Sequence, residues 1–589
     1  MPEYLAPGVY VEETSFRAKS IEGVGTSTTA FVGPTRKGPY RIDEDTQETP
    51  ELLTSYGDFL RIYGSYADLE LSGTASSTNY LAHAVLAFFN EGGSRLYVSR
   101  VVSAAATAAR AAVTPDTPAA GSVSFVARFP GSLGNATPGR RSIVVREIVS
   151  PGSLVTMGTA PVGTLLRTGT DAAPAHHVKI GSTWHPAEAP DADAESAATL
   201  AGATPRFVTL QVTATDADGE NMSWDDMGFD RSHPRWVGHV LAQAPSRRAD
   251  FLQNTFAIAI GGSVTAVDLH DALFTNAVVN AQGVRENGFN LSGGLDGAEP
   301  TATEYALALG EVAALEDVSI VAAPGASAYT DAQAINGVLI SHAEARRAYR
   351  IAVLDTPAEQ TPGQIRTLRG LMDSTRAALY YPWVVVSNPN ARAGREDIPR
   401  EIALPPSGYV CGIYARNDVQ RGVHKAPANE IVRSALRFEI DVNFGQQELL
   451  NPLGVNCLRL LSGRGYRVWG ARLISSDPEW KYVSDRRYFN YLEASIDRGT
   501  QWAVFEPNGE RLWANIRQTI SDFLYSEWRN GALLGVSTEE AYFVRCDRST
   551  MTQNDLDNGR LVCLIGVAII KPAEFVIFRI GQKTADARS

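Results

Sequence analysis

The sequence predicts an α+β multidomain protein, with an α/β open-sheet middle domain, a β-rich insertion within it, and a C-terminal α+β domain. Three observations lead there. Helical and strand patterns alternate from residue 301 to 389, as in a mostly parallel sheet covered by helices. At Ser103 the composition shifts to an Ala/Thr/Pro linker, followed by short strands and turns to about residue 289. Beyond residue 425 a long amphipathic helix sits among apolar strand-like runs.

A length of 589 residues accommodates several domains, and 44% apolar with 20% charged residues is a globular composition. The net charge of −12 argues against a coat for nucleic acid. The longest apolar run, Leu561–Ile570, is about half of the ~20 residues that a membrane span needs. The start, MPEYLAPGVYVEE, has neither the basic nor the apolar region of a Sec-type signal. Cys411, Cys457, Cys546 and Cys563 show no CxxC spacing and occur one by one in apolar stretches, as buried thiols of a protein made in a reducing cytoplasm do. Charge is uneven, at −5 for residues 1–102, −4 for 103–289, −4 for 290–424 and +1 for 425–589. The last quarter is therefore balanced and Arg-rich while the rest is acidic.

In chain order, residues 1–25 read as an arm whose short strand, Val9-Tyr10-Val11, has no adjacent apolar partner. YLAHAVLAFFNEGG is a helix preceded by Thr78 and Asn79 and stopped by Gly92-Gly93, and RLYVSRVV (95–102) is a buried strand. In the insertion, VSFVARF, SIVVREIV and RFVTLQVTA are strands. The middle domain follows with a helix at 301–317, strand VSIVAAPG, a helix at 331–349, strand RIAVLD, helix TPGQIRTLRGLMD and strand YYPWVVVSNP. Residues 26–102 complete it, which makes 103–289 an insertion. The last quarter holds one strand or two in CLRLLSGRGYRVWGARL, a helix in RRYFNYLEASIDRGTQ and a strand in QWAVFEP. The strong helix ERLWANIRQTISDFLYSEWRNG comes next, then strand-like runs in EEAYFVRCD, RLVCLIGVAII and AEFVIFRIGQK. That helix has an apolar stripe of Leu512, Ile516, Ile520, Phe523, Leu524 and Trp528, opposite a polar stripe of Arg511, Asn515, Gln518, Asp522 and Arg529.

Enzymatic motifs are fragmentary. GPTRKGPY and GQKTAD hold only pieces of a phosphate loop, and GRGYRVWG lacks the third glycine of a dinucleotide loop. There is no GxSxG elbow and no HExxH. Asp355 ends a strand, where α/β enzymes place catalytic groups, but a cap or turn aspartate before Thr356-Pro357 is the plainer reading. His176, His177 and His185 lie near Glu188 and Asp191, although adjacent histidines on a strand face opposite ways. TDADGENMSWDD resembles a calcium loop with Gly219 at the fourth position where the sixth is needed. Both read as solvated hairpin tips. No catalytic, cofactor-binding or metal residue is assigned, and no cofactor is expected.

The C-terminal half resembles the sheath protein of contractile phage tails and related phage-tail-like injection systems. The resemblance is carried by GVHKAPAN (422–429), QELLNPLGVNCLR (447–459), GRGYRVWGARL (463–473), DRRYFNYLEASI (485–496) and WAVFEPN (502–508). The helix at 512–533, NDLDNGRL (554–561) and IIKPAEFVIFRI (569–580) follow in the family's order. PGVYVEE and FVGPTRKGP are similar to its start; His424 stands where the family usually has an aromatic residue.

The resemblance implies a structural protein, not an enzyme. It would be a homo-oligomer of hexameric rings stacked helically around an inner tube, contracting from a metastable extended state to drive that tube through a target envelope. Implied partners are the inner tube protein, the baseplate and tail-terminator or cap proteins, with no direct nucleic acid and no membrane insertion. The implied location is a virion tail or phage-tail-like particle assembled in the bacterial cytoplasm. The expected division is a linker arm at 1–25, a middle domain at 26–102 plus 290–424, an outward-facing insertion at 103–289, a tube-facing assembly domain at 425–568 and a linker arm at 569–589. Val9, Tyr10 and Val11 together with Phe575, Val576, Ile577 and Phe578 are expected to join a sheet completed by strands of neighbouring subunits, since both lack local partners. Arg511, Asn515, Gln518, Asp522 and Arg529 are the tube-facing candidates. The alternatives are an α/β enzyme with a β-rich accessory domain, with a pocket near Asp355 and Ala323, or a soluble receptor-binding adhesin.

Overall fold

The computed structural model describes residues 20–41, 48–72, 78–113, 121–170, 173–189, 191–392, 394, 396 and 398–580. Its centre is a nine-stranded sheet. From one edge the strands run Leu52–Leu53, Leu96–Arg100, Thr29–Gly33, Ile320–Ala322, Ile351–Asp355, Ala377–Tyr381, Val455–Leu461, Gly465–Val468 and Glu430–Ile431. From Leu96–Arg100 to Val455–Leu461 every neighbouring pair is parallel. Parallel strands are covered on both faces, and these are mostly apolar. Alternate residues feed two separate cores. Phe31, Ile320, Ile351, Val353, Ala378 and Tyr380 enter one, while Ala30, Val32, Val321, Ala352, Leu354 and Leu379 enter the other.

The first face is covered by the helices Tyr80–Glu91 and Ser407–Arg421, and the second by Ala302–Ala313, Ala332–Glu344 and Pro362–Arg369. Asn79 caps the first helix by accepting the Ala82 N–H (3.3 Å), and Gly92 ends it in the left-handed region at φ 112°. The helix Ser407–Arg421 is not among the elements that the sequence pattern predicts, because residues 407–417 are buried on every side and show no polar face. Gly408 and Gly412 let it approach its neighbour. A Cβ at Gly408 would lie 2.7 Å from Ala84, and one at Gly412 would lie 2.6 Å from the Phe88 carbonyl oxygen.

The insertion leaves and rejoins this body as an antiparallel pair, with Thr107 opposite Leu295 and Arg110 opposite Ser292. It carries an eight-stranded sheet, whose longest strands are Ile143–Pro151 and Arg206–Thr215, and a three-stranded sheet of Arg110–Ala112, Val123–Ala127 and Phe256–Ile260. The two share one apolar core. A further cluster holds Tyr488 and Leu492 of the helix Val483–Gly499, the inner stripe of the helix Glu510–Arg529, and Ile21. An antiparallel hairpin, Tyr542–Arg545 with Leu564–Val567, packs against that second helix.

Several expectations change. The central sheet continues past residue 424 through Val455–Leu461, because this strand extends the parallel ladder on Ala377–Tyr381. YYPWVVVSNP splits into Ala377–Tyr381 and Val384–Ser387, the latter in a separate three-stranded sheet, since Pro382 has no N–H to continue a ladder. QWAVFEP is a short 3-10 turn, Gln501–Ala503, instead of a strand, followed by Phe505 at φ 67° with its ring in solvent. AEFVIFRI forms no strand in the single chain.

Packing at Gly412 gives a direct test. Gly412→Ala drives a methyl into Phe88 and Glu91 and should destabilise the chain by about 1–3 kcal/mol. Differential scanning calorimetry should record a lowered melting temperature, whereas Gly337→Ala, with open space around its Cβ, should not lower it.

Candidate assembly surfaces

The body fixes the roots of both chain ends through buried charge. On the helix Ser407–Arg421, the Asp418 carboxylate accepts both Arg487 terminal nitrogens at 2.8 and 2.5 Å, and both side chains are 3% exposed. The same Asp418 accepts the Thr26 hydroxyl (2.7 Å), and Arg487 donates to the Thr26 carbonyl oxygen (3.0 Å). The Val24 N–H donates to the Ser495 hydroxyl (3.1 Å), and Ile21 is buried beside Gly499. The N-terminal segment therefore enters the molecule along the helix Val483–Gly499. Val9, Tyr10 and Val11 lie outside the described residues.

The C-terminal root is Glu574. Its carboxylate accepts Arg472 Nε (2.7 Å) and Nη2 (2.6 Å), the Asn451 amide (2.8 Å) and the Tyr482 hydroxyl (3.0 Å). Burial alone would raise its pKa, but these hydrogen bonds, led by those from Arg472, hold it below its ordinary value of 4.5. Past this anchor, among the described residues, the backbone has no ladder partner. Phe575, Val576, Ile577, Phe578 and Ile580 are all exposed, from 68% to 96%.

Between the roots lies the helix Glu510–Arg529. Leu512, Ile516, Ile520, Phe523 and Leu524 are buried as patterned, Trp528 is half-buried, and Trp513 is buried as well. Glu527 accepts the hydroxyls of Tyr488 (3.1 Å) and Tyr491 (3.0 Å), which fixes the helix's rotation. That rotation exposes Arg511, Asn515, Gln518, Asp522 and Arg529, with the Gln518 amide donating to Asp522 (2.7 Å).

The motifs weighed for chemistry have structural partners. Asp355 is buried, and its two oxygens accept the N–H (2.7 Å) and hydroxyl (2.6 Å) of Ser407 at the start of a helix. Burial pushes its pKa up to about 7, partly offset by those bonds. His176 is buried against the His270 ring, His177 meets the Thr168 hydroxyl (3.0 Å), and His185 meets Thr183 (2.9 Å), while Glu188 and Asp191 are exposed. Among the described residues no group of three or more His, Cys, Asp or Glu is placed to hold a metal ion. The calcium-like loop is a clamp instead. Asp216 accepts the N–H groups of Asp218 (3.1 Å) and Glu220 (2.9 Å), and Asp218 then pairs with Arg36 (2.9 Å) and the Ser65 hydroxyl (2.6 Å). This joins the insertion to the FVGPTRKGP stretch, a role that spacing within either segment could not reveal. GRGYRVWG supplies the end of the hairpin turn after Val455–Leu461 and then the returning strand Gly465–Val468. His424 packs edge-on against Tyr488, at 6.4 Å between ring centres, so it keeps an aromatic contact.

Residues 298–472 match the family model for the phage tail sheath protein central domain, and residues 475–583 match that for the phage tail sheath C-terminal domain. The chain belongs to the phage tail sheath family. The putative prophage major tail sheath protein of Pseudomonas aeruginosa is 26% identical over 267 residues, covering 44% of this chain and 64% of that relative. The tail sheath protein of Enterobacteria phage T4 is 24% identical over 177 residues, covering 29% of this chain and 26% of that one. The chain thus spans less than two thirds of either curated relative. Its fold is similar to the sheath complex of the PVC extracellular contractile injection system in its contracted state, at 20% identity and a TM-score of 0.52, over 99% of each chain.

In this sheath chain the Glu574 anchor is open to measurement. Glu574→Ala leaves Arg472 buried without its carboxylate, a local cost of about 1–3 kcal/mol. Deuterium uptake at residues 568–574 should rise while that of the central sheet stays unchanged. In the unaltered chain the anchor is complete above the ordinary glutamate pKa of 4.5 and weakens as pH falls through the depressed value, so acidification should reproduce the effect.

Proposed function

We propose that the chain is the structural subunit of a contractile tail sheath. It polymerises as hexameric rings around an inner tube and contracts from a metastable extended state to drive that tube through a target cell envelope. The observation that carries this reading, together with family membership, is the C-terminal run Phe575–Phe578, anchored at Glu574, exposed, and without a ladder among the described residues. A strand added to a neighbour's sheet satisfies such a backbone and buries its apolar side chains. Val9, Tyr10 and Val11 are the proposed counterpart from another subunit. Net gains of ~0.5–1.5 kcal/mol per hydrogen bond, repeated around a ring, make a mesh that holds while broader faces slide.

The tube-facing surface is proposed to be Arg511, Asn515, Gln518, Asp522 and Arg529. Exposed, screened charge suits a contact that must release when the sheath fires. The remaining partners are the inner tube protein, baseplate and tail-terminator or cap proteins, in a virion tail or phage-tail-like particle assembled in the bacterial cytoplasm. Contraction needs no nucleotide in this scheme, because the extended state is a kinetic trap.

Negative-stain electron microscopy tests the assembly. The full-length chain at rising concentration should form ringed tubes, and deletion of residues 1–20 should abolish them; normal tubes from the deletion would overturn the arm exchange. Arg511→Glu with Arg529→Glu should reduce extended sheath on tube at least tenfold and spare tube-free sheath. Undiminished extended particles would remove the helix from the tube contact.

A further inference from the structure

Two of the four cysteines that occur singly in sequence come together in space. In the C-terminal hairpin Tyr542 pairs with Val567, Phe543 with Gly566, Val544 with Ile565 and Arg545 with Leu564. Continuing that register by one step sets Cys546 opposite Cys563. Directly opposed residues of an antiparallel pair have Cα atoms about 4.5–5.5 Å apart, within the ~4.4–6.8 Å span that a disulfide bridges. Each thiol also perturbs the ionisation of the other, as neighbouring side chains do. Cys546 is fully buried and Cys563 half-buried, so Cys563 is the member of the pair nearer a solvent-borne oxidant.

We propose that Cys546 and Cys563 are a disulfide-forming pair, oxidised once the protein meets oxidising surroundings, which staples the hairpin from which the C-terminal segment departs. A glutathione-type disulfide is a sufficient oxidant. The Cys563 thiolate attacks one of its sulfurs, forming a mixed disulfide and releasing one glutathione thiolate. Cys546 loses its proton to solvent and attacks the Cys563 sulfur, forming the protein disulfide and releasing the second. Two protein thiols lose two electrons, and one oxidised glutathione becomes two reduced molecules.

Arg517 lies beside both thiols, donating to the Cys546 carbonyl oxygen (3.1 Å), and its charge favours their thiolates. Burial opposes this and raises both, Cys563 to about 12, so the exchange should quicken as pH is raised above neutrality. The other two thiols have no such access. Cys411 and Cys457 are fully buried in the body, and burial raises each of their pKa values. The staple would bear on the chain end directly, because Ala568 donates to the Ala541 carbonyl oxygen (2.8 Å) and accepts from the Leu534 N–H (2.8 Å) just before the exposed run.

The full-length chain, first reduced, is incubated with oxidised glutathione at mildly alkaline pH, quenched by alkylation and mapped by peptide mass spectrometry. The expected product is a peptide pair joined through Cys546 and Cys563, lighter than its reduced parts by two hydrogen atoms, with Cys411 and Cys457 alkylated only after unfolding. Cys546→Ser should convert it to a lasting glutathione adduct at Cys563. Oxidation should raise the unfolding temperature of the unaltered chain and leave that of Cys563→Ser unchanged. A stable Cys563 adduct in the unaltered chain, a link to another chain, or both thiols still alkylatable after prolonged exposure would overturn the pairing.

Discussion

The close contact between the helices Tyr80–Glu91 and Ser407–Arg421 sets the terms for much of the molecule. Glycines at 408 and 412 bring the two backbones together, and so bury whatever polar groups lie alongside. Arg416 reaches across to the Glu91 carboxylate and carbonyl, each at 2.7 Å, with the two side chains 6% and 0% exposed. Asp355 meets the helix at its first turn and Arg487 meets Asp418 near its last. Buried pairs of this kind add little net stability over an apolar replacement, but removing one partner is costly. Their effect is to permit a single position for the helix, which in turn places Asp418 where Thr26 arrives.

A rigid centre of this sort suits ends that must reach elsewhere. The N-terminal root is held by Arg487, Asp418 and Ser495, and the C-terminal root by Arg472, Asn451 and Tyr482. Arg472 follows directly from the hairpin that closes the central sheet, so the second root is referenced to the same sheet as the first. In the proposed sheath, each subunit would pass force between neighbours through two short strands whose starting points cannot shift relative to each other without breaking buried ion pairs.

Legibility in the sequence follows the range of the interactions involved. Helices with local caps and one apolar stripe, such as Tyr80–Glu91 and Glu510–Arg529, are readable because their signals lie within a few residues. The parallel strands are readable as apolar runs. The helix Ser407–Arg421 is not, since burial on all sides removes the periodic signal. Phe575–Phe578 reads as a strand from composition, yet a strand exists only with a ladder, and the described residues of the chain supply none there. The exposed polar stripe of Glu510–Arg529 is visible, but the Tyr488–Glu527 and Tyr491–Glu527 bonds that orient it join elements distant in sequence. The Arg36–Asp218 clamp and the Cys546–Cys563 contact belong to the same class, with each half ordinary until the fold joins them.

Acid acts on these long-range contacts in opposite directions. Burial pushes Asp216 up to about 6 from an ordinary value near 3.8, so its ionised form is disfavoured in the folded chain and protonation relieves that cost as pH falls through 6. Protonation also weakens it as an acceptor for the Asp218 and Glu220 N–H groups, the bonds that shape the turn facing Arg36. Glu574 is held low by Arg472, so its anchoring contribution persists down to a more acidic range before it is lost. Mild acidification therefore reaches the joint between insertion and body before it reaches the C-terminal root. The two contacts differ because Asp216 is buried with backbone donors and like-charged neighbours, whereas Glu574 is buried against a guanidinium.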